Sequence, residues 1–357
     1  MALWVTLPYL QGSCIQGTFV TFLHVGIILL SLYGIGHSKP ENDGDREMIL
    51  SDDNEARNEM IKRNGGNNDI IKNHCNPKED TVSDYQINWD EEGPQHSLWP
   101  QSSTCGVLMT RFAMVGSLPL TALVSYPGSG NTWVRYLIEG ATGVFTGSVF
   151  DDTSLVGEGH WGEERKWDDG STIVQKTHHR ALYLYKYEGY GLKWKKEQVK
   201  GFGGRGVVLV RNPYKAILSY WNFFNTKSHT STAGQNTFQA LKFQDFVSTG
   251  AERWLELILD WTEFGQEVFF IFYEDLVDDP VSEMRHLVNY LGLKVSERRL
   301  ACISQHLQGS FLRSEHQIIN PFTSTQHSQI RAVINKAWKI IEKKTGRNIP
   351  LEKYQYY

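Results

Sequence analysis

Four short apolar runs, each closed by a polar turn, constrain this 357-residue chain more than any other feature. They are Thr121–Tyr126 (TALVSY), Ser171–Lys176 (STIVQK), Gly206–Arg211 (GVVLVR) and Glu267–Tyr273 (EVFFIFY). Each is too short for a core helix, and β-branched or aromatic residues fill neighbouring positions instead of alternating with polar ones. That pattern predicts strands buried on both faces, as in a parallel sheet covered by helices. Helices are expected over Thr132–Glu139, Tyr214–Phe224, Ala251–Phe264 and Val281–Leu291. In the third, Trp254, Leu257, Ile258 and Trp261 recur at the i, i+3, i+4, i+7 spacing of one helix face. The expected fold is α/β in three layers, a mostly parallel central sheet flanked by helices. In such a sheet ligands bind beyond the carboxyl ends of the strands.

The chain divides by composition. The first 38 residues carry no Asp, Glu, Lys or Arg, and Thr18–Tyr33 is almost unbroken apolar. A helix over about residues 18–36 is long enough to reach across a ~30 Å hydrocarbon core, so an uncleaved signal anchor is expected, ahead of a removable signal peptide. Residues 39–117, rich in Asp, Asn, Glu and Gly, read as a flexible polar stem. The globular part is expected over residues 118–357. Lys39–Ser117 holds 15 acidic and 8 basic residues, Leu118–Tyr357 25 acidic and 28 basic. The mild basic excess of the second part suits an anionic ligand and is too scattered for a nucleic-acid stripe. Cys75, Cys105 and Cys302 follow the apolar run and show no zinc spacing; Cys302 can pair with either of the other two in an oxidising compartment.

Three motifs stand at expected strand ends. PGSGNT, Pro127–Thr132, puts two glycines and small polar residues between a strand and a helix start. There, backbone N–H groups can converge on an anion and Asn131 or Thr132 can cap the helix. The turn lacks the Lys of GxxxxGK[ST], which counts against ATP or GTP chemistry. In VRNPYKAILSYW a strand delivers Arg211 to its end and a helix opened by Pro213 carries Ser219, a cation and a hydroxyl for a second phosphate. In KTHH, Lys176 and His178 are two apart, hence on one face of an extended segment, where a His can serve as general base and a Lys can neutralise charge.

In this order the motifs resemble the PAPS-dependent sulfotransferases, a P-loop-like α/β family using 3'-phosphoadenylyl sulfate, whose signatures read YPKSGTTW, KTH and RNPxDxxxSxY. This chain has YPGSGNTW, KTH and RNPYKAILSY, and its Tyr273–Leu293 stretch is similar to the family's YEDL segment. The resemblance spans about Leu118–Leu293, with a weaker tail to Arg313. It implies that Gly128, Ser129, Gly130, Asn131 and Thr132 bind the 5'-phosphosulfate and that Trp133 lies against the adenine. Arg211 and Ser219 would take the 3'-phosphate, and Tyr273 and Arg313 would complete the donor site. His178 would be the general base and Lys176 the cation at the transferred group, with no metal. Two departures stand out: Gly128 replaces the family's Lys, and GSFLRS, with Arg313, stands where the family has RKG. The Gly form of the turn is most similar to the WSC-domain-containing sialate O-sulfotransferases of the Golgi membrane, although the cysteines of the WSC modules are absent. That likeness implies a single-pass protein with a luminal catalytic domain and a sialylated glycan as acceptor. The aromatic and polar stretches Gly157–Gly170 and Tyr187–Gly206 are candidate acceptor loops. The alternative is an inactive protein of the same fold that binds nucleotide or glycan, a reading suggested by Gly128 and the missing RKG.

Overall fold

A computed structural model describes residues 87–178, 192–228, 231–309, 320–347 and 351–356. All of them fall in one compact unit, Gly66–Tyr357. The expected anchor, most of the expected stem, and Cys75, His179 and Arg313 lie outside the described residues. Among the described residues no helix is long and apolar enough to cross a membrane.

In chain order, β1 (Gln95–Ser97) pairs antiparallel with β2 (Met109–Arg111), ahead of β3 (Ala122–Ser125), α1 (Asn131–Thr142) and β4 (Gly147–Ser148). A short helix α2 (Thr153–Val156) and a 3-10 turn (Trp161–Glu164) lead to β5 (Gln175–His178). Then come α3 (Leu192–Lys200), β6 (Arg205–Val210), α4 (Pro213–Thr226), α5 (Leu241–Phe264) and β7 (Glu267–Phe272). α6 (Tyr273–Asp278), α7 (Pro280–Tyr290), α8 (Glu297–Gln305) and α9 (Ser324–Thr345) complete the helices. The central sheet has the order β4-β5-β3-β6-β7, all neighbours parallel.

Both faces of this sheet are buried, which is why its strands read as continuous apolar runs. Ala122, Val124, Val208, Val210, Phe270 and Phe272 pack on one face with residues of α4, α5 and α9. Leu123, Val207, Leu209 and Ile271 pack on the other with α1, α7 and α8. The expected three layers are therefore present. The four expected strands and four helices occur with shifted ends, the largest being α5, which starts ten residues before Ala251 and fills 24 residues. The second strand also moves: Ser171–Val174 lead in, and the pairing covers Gln175–His178, which makes His178 the last strand residue.

The stem boundary at residue 117 is corrected. Trp99, Cys105, Leu108, Phe112 and Ala113 are buried, and Cys105 is bonded to Cys302 of α8. Residues 87–117 thus belong to the globular unit, because their few apolar side chains fill one edge of the core while Asp and Glu around them face solvent. Of the two pairings open to Cys302, the one with Cys105 is formed.

Candidate active site

The motifs within the described chain cluster at the carboxyl ends of neighbouring strands, with Lys176 inside β5 and Ser219 on α4. His178 ends β5, the glycine turn follows β3, Arg211 follows β6 and Tyr273 follows β7. Parallel register aligns these ends, with Ser125 of β3 opposite His178 of β5.

Gly128 and Gly130 have φ of 81° and 85°, left-handed values that glycine adopts without strain. A Cβ on Gly128 would come within 2.4 Å of the Ala216 carbonyl oxygen and 2.7 Å of the Tyr220 nitrogen, so the turn lies directly on α4 beside Ser219. A Cβ on Gly130 would meet the Tyr273 ring at 2.5 Å. Gly130, not Asn131 or Thr132, is the cap of α1, and no side chain caps that helix. Asn131 instead turns inward, its Nδ2 donating to the Leu123 carbonyl at 3.3 Å and to Ser125 Oγ at 3.1 Å. The first-turn amides of α1 therefore keep their positive end without a capping side chain, the arrangement that suits an anion.

Arg211 ties the turn to the next strand end. Its Nη1 donates to the Gly128 carbonyl at 2.7 Å and its guanidinium lies 4.3 Å from the Tyr273 ring centre. The Tyr273 ring in turn meets Trp133 edge-on at 5.4 Å, and Trp133 Nε1 donates to the Leu307 carbonyl at 2.7 Å. Ser129 Oγ and Arg211 Nε are buried donors without a hydrogen-bond partner among the described residues. Buried donors of this kind are uncommon, and a phosphate or sulfate oxygen at the turn would satisfy both. Asn131 Oδ1 is also buried without a partner, but as an acceptor it does not suit an anion.

His178 Nδ1 lies 2.9 Å from the Ser125 carbonyl oxygen, an atom that can only accept. Nδ1 therefore carries a proton, which in the neutral ring leaves the lone pair on Nε2, the state a general base requires. Gln198 of α3 donates to the His178 carbonyl at 3.1 Å, holding the strand end from the other side. Phe150 lies against both KTH side chains: its ring is 5.2 Å from the His178 ring and 5.6 Å from Lys176 Nζ. The expected shared face is thus realised.

Lys176 is only 6% exposed, and its Nζ is 3.6 Å from Glu163 Oε1. Burial, then the charge of Arg135, hold its ammonium below the usual lysine range, with Glu163 acting in the opposite direction. Burial alone would raise the Glu163 carboxyl, but Arg135 and Lys176 outweigh it and hold Glu163 below the usual carboxylate range. Sequence reasoning passed over Glu163, since GHWGEERKW reads as a polar loop; only the 3-10 turn buries it. The second acceptor stretch also changes character. Part of it forms α3, and Arg205 opens β6 at the end of the sheet remote from Arg211, pairing with Glu267 and donating to Thr121 Oγ1.

Residues 204–344 match the model of the sulfotransferase domain. A WSCD family member of Drosophila melanogaster is 31% identical over 244 residues, which cover 67% of this chain and 70% of that protein. The chain belongs to the WSCD family. A WSCD family member of Aedes aegypti is 32% identical over 216 residues, and the match spans 62% of its length. Sulfotransferase 1A1 of Rattus norvegicus is 26% identical over 121 residues, 33% of this chain and 40% of that protein. Among solved structures, a mouse sulfotransferase complexed with PAP aligns over 61% of this chain and 84% of its own, at TM-score 0.39 and 16% identity. The residues matched to the sulfotransferase domain include the RNP motif, Arg211–Pro213, and begin after the glycine turn and KTH.

Proposed function

We propose that this chain transfers the sulfuryl group of PAPS to a hydroxyl of a sialylated glycan, from a site in the Golgi lumen. The observation that carries the chemistry is that His178, its Nδ1 held by the Ser125 carbonyl, and Lys176 both lie against Phe150 on β5, one strand from the glycine turn. The first turn of α1 and Ser129 supply the donors that hold the phosphosulfate, Arg211 supplies the guanidinium for the 3'-phosphate, and Trp133 and Tyr273 supply ring faces for the nucleotide. Ser219, against Gly128 on α4, and Arg313 extend the contacts to the 3'-phosphate.

In the reaction His178 Nε2 takes the proton of the acceptor hydroxyl as its oxygen forms the new bond to sulfur. The bond between sulfur and the bridging phosphate oxygen breaks, and PAP leaves with the electron pair. Lys176 offsets the negative charge on the bridging oxygen and the sulfuryl oxygens. Catalysis here is positioning plus electrostatic stabilisation, by analogy with phosphoryl transfer.

Gly128 does not argue for an inactive protein. A Lys at this position would drive its Cβ into the backbone of α4, so the glycine is what lets this turn pack where it does. The luminal placement draws on the apolar run Thr18–Tyr33 and on the buried Cys105–Cys302 bond, a feature of oxidising compartments. Residues 39–86 would then be the stem between membrane and catalytic unit.

The test is incubation of the full chain with radiolabelled PAPS and matched sialylated and desialylated glycoproteins. Label on the sialylated set alone supports the proposal. Label on both sets rejects sialic acid as the acceptor, and PAP binding without label on any acceptor rejects the transferase in favour of a binding protein.

A further inference from the structure

Behind the KTH strand lies a charged group that neither the motif nor the reaction as described accounts for. Glu163 is 2% exposed and receives three elements at once. Its Oε1 accepts from Arg135 of α1 and lies 3.6 Å from Lys176 of β5; its Oε2 accepts from the backbone N–H of Asp152, after β4, at 3.0 Å. Arg135, fully buried, completes its contacts on Thr146, through Nε at 2.8 Å and Nη2 at 3.2 Å. Thr146 Oγ1 donates onward to Glu139, and His160 Nδ1 is 3.8 Å from the same carboxylate. The 3-10 turn that carries Glu163 can reach this place because Gly162 lies on β4's approach: a Cβ there would be 2.0 Å from the Thr146 oxygen.

We propose that Glu163 is the positioning residue of the transfer reaction: anchored by Arg135 and the Asp152 amide, it fixes Lys176 as a charged, immobile ammonium on the face of β5 that His178 shares. This rests on the sulfotransferase reading above. Lys176 has a four-carbon stem and, by itself, several rotamers and a tendency to lose its proton when buried. Its surroundings hold Arg135 from α1, Glu163 from the 3-10 turn and Asp152 after β4, with His178 on its own strand beyond Phe150. Of the two carboxylates, Glu163 is the one whose oxygen lies between the two cations. Remove its charge and Arg135 faces Lys176 within a buried cluster, which favours the neutral amine. A neutral amine cannot stabilise charge growing on a sulfuryl oxygen. Glu163 touches neither donor nor acceptor, and acts only through Lys176.

The experiment follows sulfuryl transfer by the full chain as a function of pH for wild type, Glu163→Gln and Glu163→Asp, with PAP affinity measured alongside. A wild-type chain that transfers no label from PAPS to any acceptor sinks the sulfotransferase reading itself. With wild type active, the expected result is a graded fall in kcat, roughly 10- to 100-fold for Gln and less for Asp. The alkaline limb of the pH profile should move to lower pH in the same order while PAP affinity stays within about threefold. Wild-type kcat and an unmoved alkaline limb in Glu163→Gln overturn the proposal. So does a loss from Glu163→Gln that is equally large when Lys176 is already Met, since that marks a structural residue. Should Glu163→Gln fail to bind PAP, Glu163→Asp carries the same comparison, and a wild-type limb in that variant is equally fatal.

Discussion

His178 and Lys176 stand two positions apart on one strand, yet different forces prepare them. A single backbone carbonyl sets the tautomer of His178, whereas the charge state of Lys176 is a balance of burial and Arg135 against Glu163. The sign of that balance makes a prediction. On the proposed mechanism protonated Lys176 is the active form, and its pKa is lowered, so activity should fall as pH rises through a value below ~10.4, that of an ordinary lysine. A kcat profile that stays flat up to that pH contradicts it. Lys176→Met should lower kcat by roughly 10²–10³-fold, with PAP binding nearly unchanged by calorimetry. The positions of His178 and Arg211 at strand ends, with Lys176 two residues before His178, were legible in the sequence because each motif closes an apolar run. Glu163 was not, because its partners Arg135, Asp152 and Lys176 come from three separate elements that only the fold assembles. Asn131 shows the converse: its residue type fitted a helix cap, but the left-handed Gly130 took the cap and freed the amide to brace β3.

Two elements frame the site, the glycine turn and α4. Gly128 is fixed both by its backbone angle and by contact with α4, so Gly128→Ala should destabilise the protein by about 1–3 kcal/mol in thermal unfolding. Gly128→Lys should lower activity despite restoring the residue common in the wider family; a gain in kcat would show that the turn is not packed as described. α4 is capped by Asn212, whose Oδ1 accepts from the Tyr214 amide at 3.0 Å while its Nδ2 donates to the carbonyls of Lys353 and Gln355 at 3.1 and 3.0 Å. Asn212→Ala removes a cap and two long-range bonds and is expected to cost about 2–3 kcal/mol by denaturant titration, against near zero if the C-terminal contact is incidental. The N of RNP is thus a latch on the chain end, a role no local pattern reveals. Sequence period located the strands, since burial on both faces leaves an apolar run, but not β4, which at two residues has no period. α9 did carry a readable pattern, with buried Ile330, Ile334, Ala337 and Ile341, hidden in a segment crowded with Lys.

Across the molecule, the Cys105–Cys302 bond joins residues 197 apart and fastens the segment before β3 to α8. Loss of that link should cost about 2–4 kcal/mol, so Cys105→Ser and the reduced wild type should show matching falls in melting temperature. Dissimilar falls would mean that reduction acts elsewhere in the chain. The segment escaped sequence reading because its composition is that of a solvated spacer, and a cross-link 197 residues away decides its place. Sheet, helices and cross-link together serve to hold four strand ends in register around the glycine turn. The central claim is that His178 at one of those ends removes the acceptor proton. The most direct measurement is label transfer from radiolabelled PAPS by the full chain and by His178→Ala, with PAP affinity of both determined by calorimetry. The account predicts transfer by the wild type, a loss of at least about 10²-fold in the variant and similar PAP affinity in both. Wild-type transfer by His178→Ala would contradict it.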